Sequence, residues 1–352
     1  MKQLSPIKWK YYTVVSRLGV IKNEIKLKGP IDYSNIFKTW GLGYSSEKYR
    51  LYSFNTNDHA NYLPDSAATM TRFINQPYSI LLNNKIMFEK TVSQYIKVPK
   101  NYAFVDEETI FPLQSNIEID SVESIINVCK EEGGIVIKPV QGSRGRGVSI
   151  IKVKNNEIFS NGKKISKDEL DKYVKSLGHF IITEFIKQGE YSNNLYPGST
   201  NTMRILIMID PENHEPFIAR AVQRIGSKTS KGLDNFTMGG YSANIDIETG
   251  ILSEAATKIG GKELEWYDKH PDTGAQIKGV QVPRWDEIKK KLLNIMREMP
   301  YLKYAGWDIV LTDEDIVTIE GNNHSQVGVM QLHKPLLIEP RIKKFYKYYN
   351  II

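Results

Sequence analysis

The sequence predicts an α+β protein, in which antiparallel strands form hairpins and helices pack between them. Two observations predict this class. Short β-branched runs come in pairs around polar or glycine-rich turns, and serine and glycine residues mark the ends of the amphipathic segments between those pairs. The chain has 352 residues and 41% hydrophobic content, enough for a large core. We expect an amino-terminal subdomain over residues 1–82, a central one over 83–186 and a carboxy-terminal one over 187–352.

In the central part of the chain, helical spacing is seen first in Ile86, Met87, Thr91 and Tyr95. A second helix is predicted to begin with a capping-box pair, Asp120 and Glu123, and to end at the glycines 133–134. The β-branched runs 135–139 and 147–153 follow. They predict a hairpin with a glycine-rich tip.

The second half of the chain continues the pattern. Ser166 and Glu169 form another capping box, which predicts a helix that ends at Gly178. Strands are predicted over residues 180–186, 203–209 and 216–224, and a final strand pair over 306–321. Between them, one apolar helix face comprises Trp285, Ile288, Leu292, Leu293, Met296 and Met299.

The charge balance is mildly basic. The chain carries 47 Lys plus Arg against 40 Asp plus Glu, a net charge of +7, so its surface field favours anionic partners. Nucleotides, nucleic acid, anionic sugars and an anionic membrane surface all fit this balance. Composition carries no prediction of an oligomeric state.

Cysteine usage excludes two kinds of site. Cys129 is the single cysteine, which rules out an intrachain disulfide framework and a multi-cysteine zinc cluster and indicates a reducing compartment. It lies in an amphipathic segment, which favours a buried packing role over a nucleophilic one. The histidines have no metal-ligand spacing. Charged residues interrupt the apolar runs at the amino terminus, and no run of about 18 apolar residues occurs, so we expect a cytoplasmic protein.

The last predicted hairpin brings acidic and amide side chains together. If its loop has three residues centred on Glu314, Asp308 faces Glu320 across the two strands, with Cβ atoms about 5 Å apart. Period two places Asn322 on the same face. Two carboxylates this close repel each other unless a cation lies between them, and oxygen ligands suit Mg²⁺. The alternative is a solvated hairpin whose acidic residues face water.

The earlier hairpin tip has the features of a phosphate-binding loop. Its sequence is Gln141-Gly142-Ser143-Arg144-Gly145-Arg146-Gly147. The glycines let backbone amides approach an anion, the arginines supply charge-assisted donors, and Lys138 ends the preceding strand. The tip matches neither Gly-x-Gly-x-x-Gly nor the P-loop pattern. A flexible basic tip that binds nothing, or that binds a nucleic-acid backbone, is the alternative.

The order of these features resembles the ATP-grasp superfamily over residues 65 to 345. A glycine-rich loop comes first, a strand ending in Glu184 comes next, and the hairpin with Asp308 and Asn322 comes last. The chain is most similar to the sugar-transfer-associated ATP-grasp proteins, through the strand Asn201-Thr202-Met203-Arg204-Ile205 and the hairpin from Gly306 to Asn322. The resemblance implies an ATP-grasp fold, in which two α+β subdomains grip ATP, beside the smaller amino-terminal subdomain.

Site residues follow from the resemblance by position. For phosphate binding it implies Lys138, the glycine-rich tip and a second lysine, Lys85. For adenine it implies the backbone of Glu184, Phe185 and Ile186, and for the ribose hydroxyls Glu190. Arg204 is placed near the γ-phosphate or an acyl-phosphate. The cofactors implied are ATP and two magnesium ions, with Asp308, Glu320 and Asn322 as metal ligands, and His324 and Ser325 are assigned to the acceptor substrate.

Each assignment has a simpler alternative. Lys85 would otherwise be an exposed helix lysine, and Glu184 and Glu190 would be solvated acids. Ser325 would otherwise cap a helix. Arg204 is more informative, because a charge that begins an apolar strand needs a buried partner or an anionic ligand.

The resemblance implies an ATP-dependent ligase that forms a carbon-nitrogen bond and releases ADP. Its expected partners are a small-molecule or sugar-linked carboxylate and an amine, joined in surface polysaccharide or capsule synthesis. The basic aromatic segments 8–12 and 343–349 suggest peripheral membrane contact, with packing against the core as the alternative. Two rival functions remain: an ATP-grasp phosphotransferase acting on a hydroxyl, and a nonenzymatic nucleic-acid-binding protein. We expect no nucleic-acid partner.

Overall fold

The computed structural model describes residues 5–27, 35–114, 117–142, 147–258 and 264–352. The chain forms two compact units. The central unit comprises residues 80–190 and 309–321, and the terminal unit comprises 1–79, 191–308 and 322–352. The boundaries after residues 79 and 190 lie close to those expected at 82 and 186. The amino-terminal residues belong to the same unit as most of the carboxy-terminal half, and the division into three subdomains stays a prediction.

The central unit contains a seven-stranded antiparallel sheet in the order β2-β1-β7-β3-β4-β5-β6. Its helices are α5 (Ile80–Asn83), α6 (Lys85–Val92), α7 (Val122–Glu132) and α8 (Lys167–Lys175). Its strands are β1 (Asn101–Asp106), β2 (Thr109–Pro112), β3 (Ile135–Pro139), β4 (Ser149–Lys154), β5 (Glu157–Ser160), β6 (Lys163–Ile165) and β7 (Phe180–Glu184). The predicted β3–β4 hairpin is confirmed, with Ile135 opposite Ile151.

The helix ends follow from local capping. The Ser166 and Glu169 capping box is confirmed at the start of α8, although this helix ends before Ser176 and not at Gly178. The predicted pair at α7 was wrong by one residue. Ser121, and not Asp120, caps this helix by accepting a hydrogen bond from the backbone of Ser124. The Ser124 hydroxyl in turn accepts a hydrogen bond from the Ser121 backbone N–H at 3.0 Å, so a second serine completes the capping box in place of the usual glutamate.

The core of this unit lies between the sheet and the two helices α7 and α8. Ile125, Ile135, Ile151 and Leu170 are fully buried there. Cys129 is buried in the same cluster, and burial raises the pKa of its thiol to about 12. The packing role predicted for this cysteine is therefore confirmed.

The terminal unit is built on a second seven-stranded sheet, in the order β12-β11-β10-β9-β8-β13-β14. Its strands are β8 (Met203–Ile209), β9 (Pro216–Ile225), β10 (Tyr241–Ile245), β11 (Leu252–Thr257), β12 (Glu265–Tyr267), β13 (Tyr304–Leu311) and β14 (Ile316–Asn322), of which residues 309–321 belong to the central unit. Its helices are α1 (Pro6–Leu27), α2 (Ile36–Gly41), α3 (Glu47–Leu51), α4 (Asp65–Met70), α9 (Glu190–Leu195), α10 (Trp285–Glu298), α11 (Met330–His333) and α12 (Pro340–Tyr348).

The apolar face predicted for α10 packs as expected. Trp285, Ile288, Leu292 and Met296 of α10 are buried. Phe345 and Tyr346 of α12 are also buried, beside Tyr304 of β13. Within the described residues, no helix is both long enough and apolar enough to cross a bilayer.

Candidate functional site

Two lysines of the central unit lie close enough for their charges to interact. Lys85 is the first residue of α6, and its backbone N–H donates to the carbonyl of Val140, just beyond β3. Lys138 lies within β3, opposite Ile181 of β7. Burial, and to a smaller extent the charge of Lys85, lower the pKa of Lys138 to about 8. Lys85 is half-buried, so it is not the exposed helix lysine of the simpler alternative.

Glu320 is the acidic group that acts on both lysines. Burial lowers the pKa of Lys85, whereas the charge of Glu320 opposes that shift, and it does the same at Lys138. Gly321 explains the position of this glutamate. A Cβ on Gly321 would lie 2.7 Å from side-chain atoms of both Leu82 and Phe88, so only glycine lets β14 approach α5 and α6 this closely.

The ends of the glycine-rich tip are described, and its centre is not. Gly147 has φ of +72°, the left-handed region that favours glycine, and a Cβ there would lie 3.2 Å from Pro139. Gly142 also lies beside Pro139. The predicted phosphate ligands Ser143, Arg144, Gly145 and Arg146 lie outside the described residues.

The end of β7 carries the residues assigned to adenine. The Glu184 N–H donates to the Lys100 carbonyl at 2.9 Å, and the Glu184 carboxylate accepts from the Lys100 N–H at 3.1 Å. This amide is therefore already used and cannot donate to a base. Phe185 lies under the Lys152 ammonium, 4.0 Å from the ring centroid, and Ile186 is buried against Val310.

Glu190 is held by the turn between β13 and β14. Its backbone N–H donates to the Asp313 carboxylate at 2.6 Å, and the preceding Gly189 N–H donates to the Leu311 carbonyl at 2.8 Å. A Cβ on Gly189 would lie 2.6 Å from backbone atoms of this turn. The Glu190 residue itself is exposed. Asp313 lies in the turn expected between the last two strands, and its carboxylate also accepts the hydrogen bond from the Glu190 N–H.

The turn itself is shorter than expected. The Thr312 N–H donates to the Asp315 carbonyl at 3.0 Å, and the Asp315 N–H donates to the Thr312 hydroxyl at 2.7 Å. These bonds enclose two residues, not three, because the threonine hydroxyl substitutes for a main-chain acceptor. The turn geometry therefore does not by itself place Asp308 opposite Glu320. That pairing stays a prediction.

In the terminal unit, Asp308 is held by two arginines. Arg204 pairs with both carboxylate oxygens, with its Nη2 atom 2.7 Å from Oδ2, and Arg224 Nη2 lies 3.1 Å from the same oxygen. The Asp308 side chain is only 3% exposed. Burial alone would raise the pKa of Asp308, but the charges and hydrogen bonds of Arg204 and Arg224 outweigh it and lower the pKa. From the sequence, Arg204 was expected to need a buried partner or an anionic ligand. In the structure, the Asp308 carboxylate is its buried partner.

Thr202 and Asp234 complete the cluster, and sequence reasoning missed the roles of both, as it missed that of Arg224. Arg224 Nε lies 3.3 Å from an Asp234 oxygen and donates to the Thr202 hydroxyl at 2.8 Å. That hydroxyl and the Thr202 backbone N–H both donate to Asp234. One signal was present in the sequence. Arg224 is a charge inside an apolar strand, which is the argument that singled out Arg204.

Asn322, His324 and Ser325 lie at the end of β14 and just after it. The Asn322 amide lies 3.4 Å from the Gly306 carbonyl, and His324 Nδ1 lies 3.0 Å from the Thr71 hydroxyl. Ser325 is fully buried, and its hydroxyl has no hydrogen-bond partner among the described residues. It does not cap a helix, because the next helix begins at Met330. Because Thr71 contacts His324, the amino-terminal part of the chain helps to position the residues that follow β14.

The oxygen ligands of the predicted metal site are chemically suited to Mg²⁺. Asp308 and Glu320 are carboxylates and Asn322 supplies an amide oxygen, whereas zinc and softer metals favour nitrogen and sulfur. Among the described residues, no three His, Cys, Asp or Glu side chains form a metal-binding group on their own. Asp308 already accepts from two guanidinium groups, so a magnesium ion would share or replace that charge compensation.

Three solved structures that are similar to this chain are distant in sequence. The ATP-grasp ligase PsnB complexed with minimal precursor is 11% identical, with a TM-score of 0.40, and the match covers 79% of this chain and 63% of that one. For purK, N5-carboxyaminoimidazole ribonucleotide synthetase, the identity is 10% and the TM-score 0.43, with 78% and 54% covered. For the VanG D-Ala:D-Ser ligase from Enterococcus faecalis, they are 15% and 0.39, with 75% and 61% covered. In each case this chain spans less than two thirds of the matched chain.

A comparison with curated proteins found no match. The family comparison is decisive, because one family model matches residues 66–347, well over half of the chain. That span contains both lysines of the central unit and the arginine–aspartate cluster of the terminal unit. The chain therefore belongs to the sugar-transfer associated ATP-grasp family.

Proposed function

We propose that this protein is an ATP-dependent ligase that activates a carboxylate and joins it to an amine. The observation that supports this best is the pair Lys85 and Lys138, two half-buried cations that interact with each other and with Glu320. Neither lysine forms an ion pair with a carboxylate within the part of the chain that the structure describes. Two adjacent buried cations repel each other, and an anionic ligand such as a triphosphate would relieve that cost.

The reaction needs charge neutralisation more than a side-chain nucleophile. The substrate carboxylate attacks the γ-phosphorus of ATP, which breaks the bond to the β-phosphate oxygen and releases ADP. The amine then attacks the acyl carbon of the acyl-phosphate, phosphate leaves, and the amine loses a proton. Lys138 and Lys85 would offset phosphate charge, and Arg204 would stabilise the transferring phosphoryl group or the acyl-phosphate.

Asp308, Glu320 and Asn322 would hold magnesium, which would supply positive charge against the negative charge of the phosphates. Arg224 and Arg204 orient the Asp308 carboxylate before any metal arrives, because together they bind both of its oxygens. We propose two ions, as the resemblance implies. Water must also be kept from the acyl-phosphate, and the glycine-rich tip after β3 is our proposed lid.

On the nucleotide side, the end of β7 would bind adenine. Because the Glu184 N–H is used by Lys100, the donor to the base would be the Ile186 amide, and Glu184 would contribute its carbonyl. Glu190 would accept the ribose hydroxyls. Its backbone is fixed through Asp313 while the residue remains exposed. Phe185 and Lys152 form the adjoining surface.

The acceptor is proposed from the family description alone. An amino acid joined to a sugar acid, or a carboxylate joined to an amino sugar, in surface polysaccharide synthesis fits a sugar-transfer associated enzyme. A screen of ADP release with amino acids paired against uronic acids and nucleotide sugars tests this. An amide product with ADP and phosphate supports ligation, whereas a stable phosphorylated alcohol would show a phosphotransferase instead.

Glu320→Gln is expected to lower the rate of ADP formation at saturating ATP by about a hundredfold or more. The amide keeps the shape of the side chain but removes the negative charge that attracts Mg²⁺, and Glu320 is only half-buried, so folding should survive. Glu314→Gln, in the turn that precedes β14, is the matched control, because Glu314 is exposed. The rate of ADP formation against magnesium concentration is the measurement. Equal rates for the two variants would exclude Glu320 as a metal ligand.

ATP affinity should depend on pH through Lys138. The pKa of its ammonium is about 8 in the free protein, and bound phosphates must raise it, so affinity is constant below that pH and falls above it. The fall is up to about tenfold per pH unit. In Lys138→Arg the guanidinium stays charged, so the decline should vanish. Calorimetric titration with ATP across this pH range measures both, and parallel profiles would contradict the assignment.

A further inference from the structure

The first helix exposes a continuous apolar stripe. In α1 (Pro6–Leu27) the stripe residues are Ile7, Tyr11, Val14, Leu18 and Ile25, whose exposed fractions are 82%, 63%, 56%, 59% and 59%. With half-buried Ile21, they follow an alternating spacing of four and three, so they share one side of the helix along its whole length. A stripe of this length on a surface helix is unusual for a face in contact only with water.

The opposite side of α1 is already used for packing. Trp9 and Tyr12 contact Phe73, with ring centroids 6.5 Å and 4.7 Å apart, and the Arg72 guanidinium lies over both the Tyr12 and Phe73 rings. Ser16 is buried on the same side. The aromatic residues of segment 8–12 therefore divide: Trp9 and Tyr12 face the protein and Tyr11 faces outward. The helix is anchored, and its stripe is free to bind.

Cations lie along both margins of the stripe. Lys10 and Arg17 are on one side, and Lys8, Lys22 and Lys26 on the other, at positions one or three residues from stripe members. All five are exposed, and none forms an ion pair within the described residues. The one acidic residue of α1 is Glu24. Its carboxylate accepts hydrogen bonds from the Trp40 indole N–H at 2.7 Å and from the Ser46 N–H at 3.0 Å.

These cations favour an anionic lipid surface over a second copy of this chain as the partner that covers the stripe. Pairing two copies of the stripe would bring identical cationic margins against each other, as at the flanking positions of a coiled coil, and like charges there disfavour association. An anionic lipid surface instead complements both margins while it buries the apolar centre. Phe37 of α2, 83% exposed and in edge contact with Trp40, adds a further apolar side chain close to the Glu24 end.

We propose that α1 is a membrane-docking helix that lies in the interface of a bilayer containing anionic lipids. It places the protein on the membrane without spanning it. The inference is independent of the proposed ligase activity, since it requires neither nucleotide nor acceptor.

The test is cosedimentation of the full chain with vesicles of equimolar phosphatidylcholine and phosphatidylglycerol, beside vesicles of phosphatidylcholine alone. We expect binding to the anionic vesicles that weakens steeply with salt. The double variant Val14→Gln and Leu18→Gln should weaken vesicle binding at least about tenfold, because it removes two apolar side chains that the bilayer would bury. Lys10→Gln, Arg17→Gln and Lys22→Gln together should weaken it about a hundredfold on anionic vesicles.

Ile251→Gln is the matched control, because Ile251 is also exposed, at 40%, and pairs with Gln281, whereas α1 packs against α4 and Phe73. It should bind vesicles as the wild type does, and all variants should keep the wild-type melting temperature. Equal binding to both kinds of vesicle, or anionic binding that the stripe variants leave unchanged, overturns the proposal. So does a dimer in sedimentation equilibrium that Leu18→Gln dissociates without any vesicle binding, because a second copy then covers the stripe.

Discussion

Lys138→Met is expected to abolish the rise in melting temperature that magnesium and ATP produce in the wild type, with an affinity loss of about a hundredfold or more. The ammonium is half-buried beside Lys85 and would form charge-assisted bonds to phosphate oxygens, whereas methionine fills similar space without charge. Differential scanning fluorimetry over a range of ATP concentrations measures the effect. A wild-type shift in this variant would remove Lys138 from the nucleotide site.

Stability without nucleotide separates this loss from misfolding. Because burial lowers the pKa of Lys138, the folded protein bears a cost for its charge, and methionine should leave the free energy of unfolding unchanged or raise it. Lys154→Met is the control. Lys154 is exposed at the end of β4, in the same sheet. That variant should keep both its stability and its response to ATP.

Asp308→Asn is expected to lower the free energy of unfolding by about 3 to 5 kcal/mol and ATP-dependent activity by about a hundredfold or more. The amide cannot compensate the guanidinium groups of Arg204 and Arg224, which are 13% and 22% exposed. Chemical denaturation without nucleotide gives the first quantity, and ADP release gives the second.

Two variants sharpen that result. Asp286→Asn should change stability by no more than about 0.5 kcal/mol, because the Asp286 side chain is 92% exposed. Combining Asp308→Asn with Arg204→Met should recover part of the lost stability, since one uncompensated cation is removed, but none of the activity. Full stability in the single variant would mean that the arginine cluster does not depend on Asp308.

Local signals in the sequence predicted the elements well. The Ser166 capping box, the β3–β4 hairpin and the buried face of α10 all depend on residues within a few positions of one another. Where the local prediction failed, a chemically equivalent neighbour had taken the role. Ser121 replaced Asp120 as a cap, and the Thr312 hydroxyl shortened the last turn.

The site was only partly predictable. Arg204 could be recognised as a charge in need of a partner, because a buried strand offers it no water. Its partner could not be identified from sequence, since Asp308 lies 104 residues further along the chain. The roles of Arg224, Asp234 and Thr202 were missed for the same reason. Arg224 could be recognised as a charge in an apolar strand, whereas Thr202 and Asp234 are ordinary polar residues until the fold brings them beside it.

The sequence by itself determined the α+β class, most element ends and the family, because periodicity, caps and ordered motifs are properties of short stretches. Only the tertiary structure decided which charges meet. It placed Lys85 beside Lys138, gave Asp308 two arginines, and left one side of α1 apolar and exposed. Burial and pairing across long chain separations set those contacts, and the energies involved depend on distance in space and not on distance along the chain.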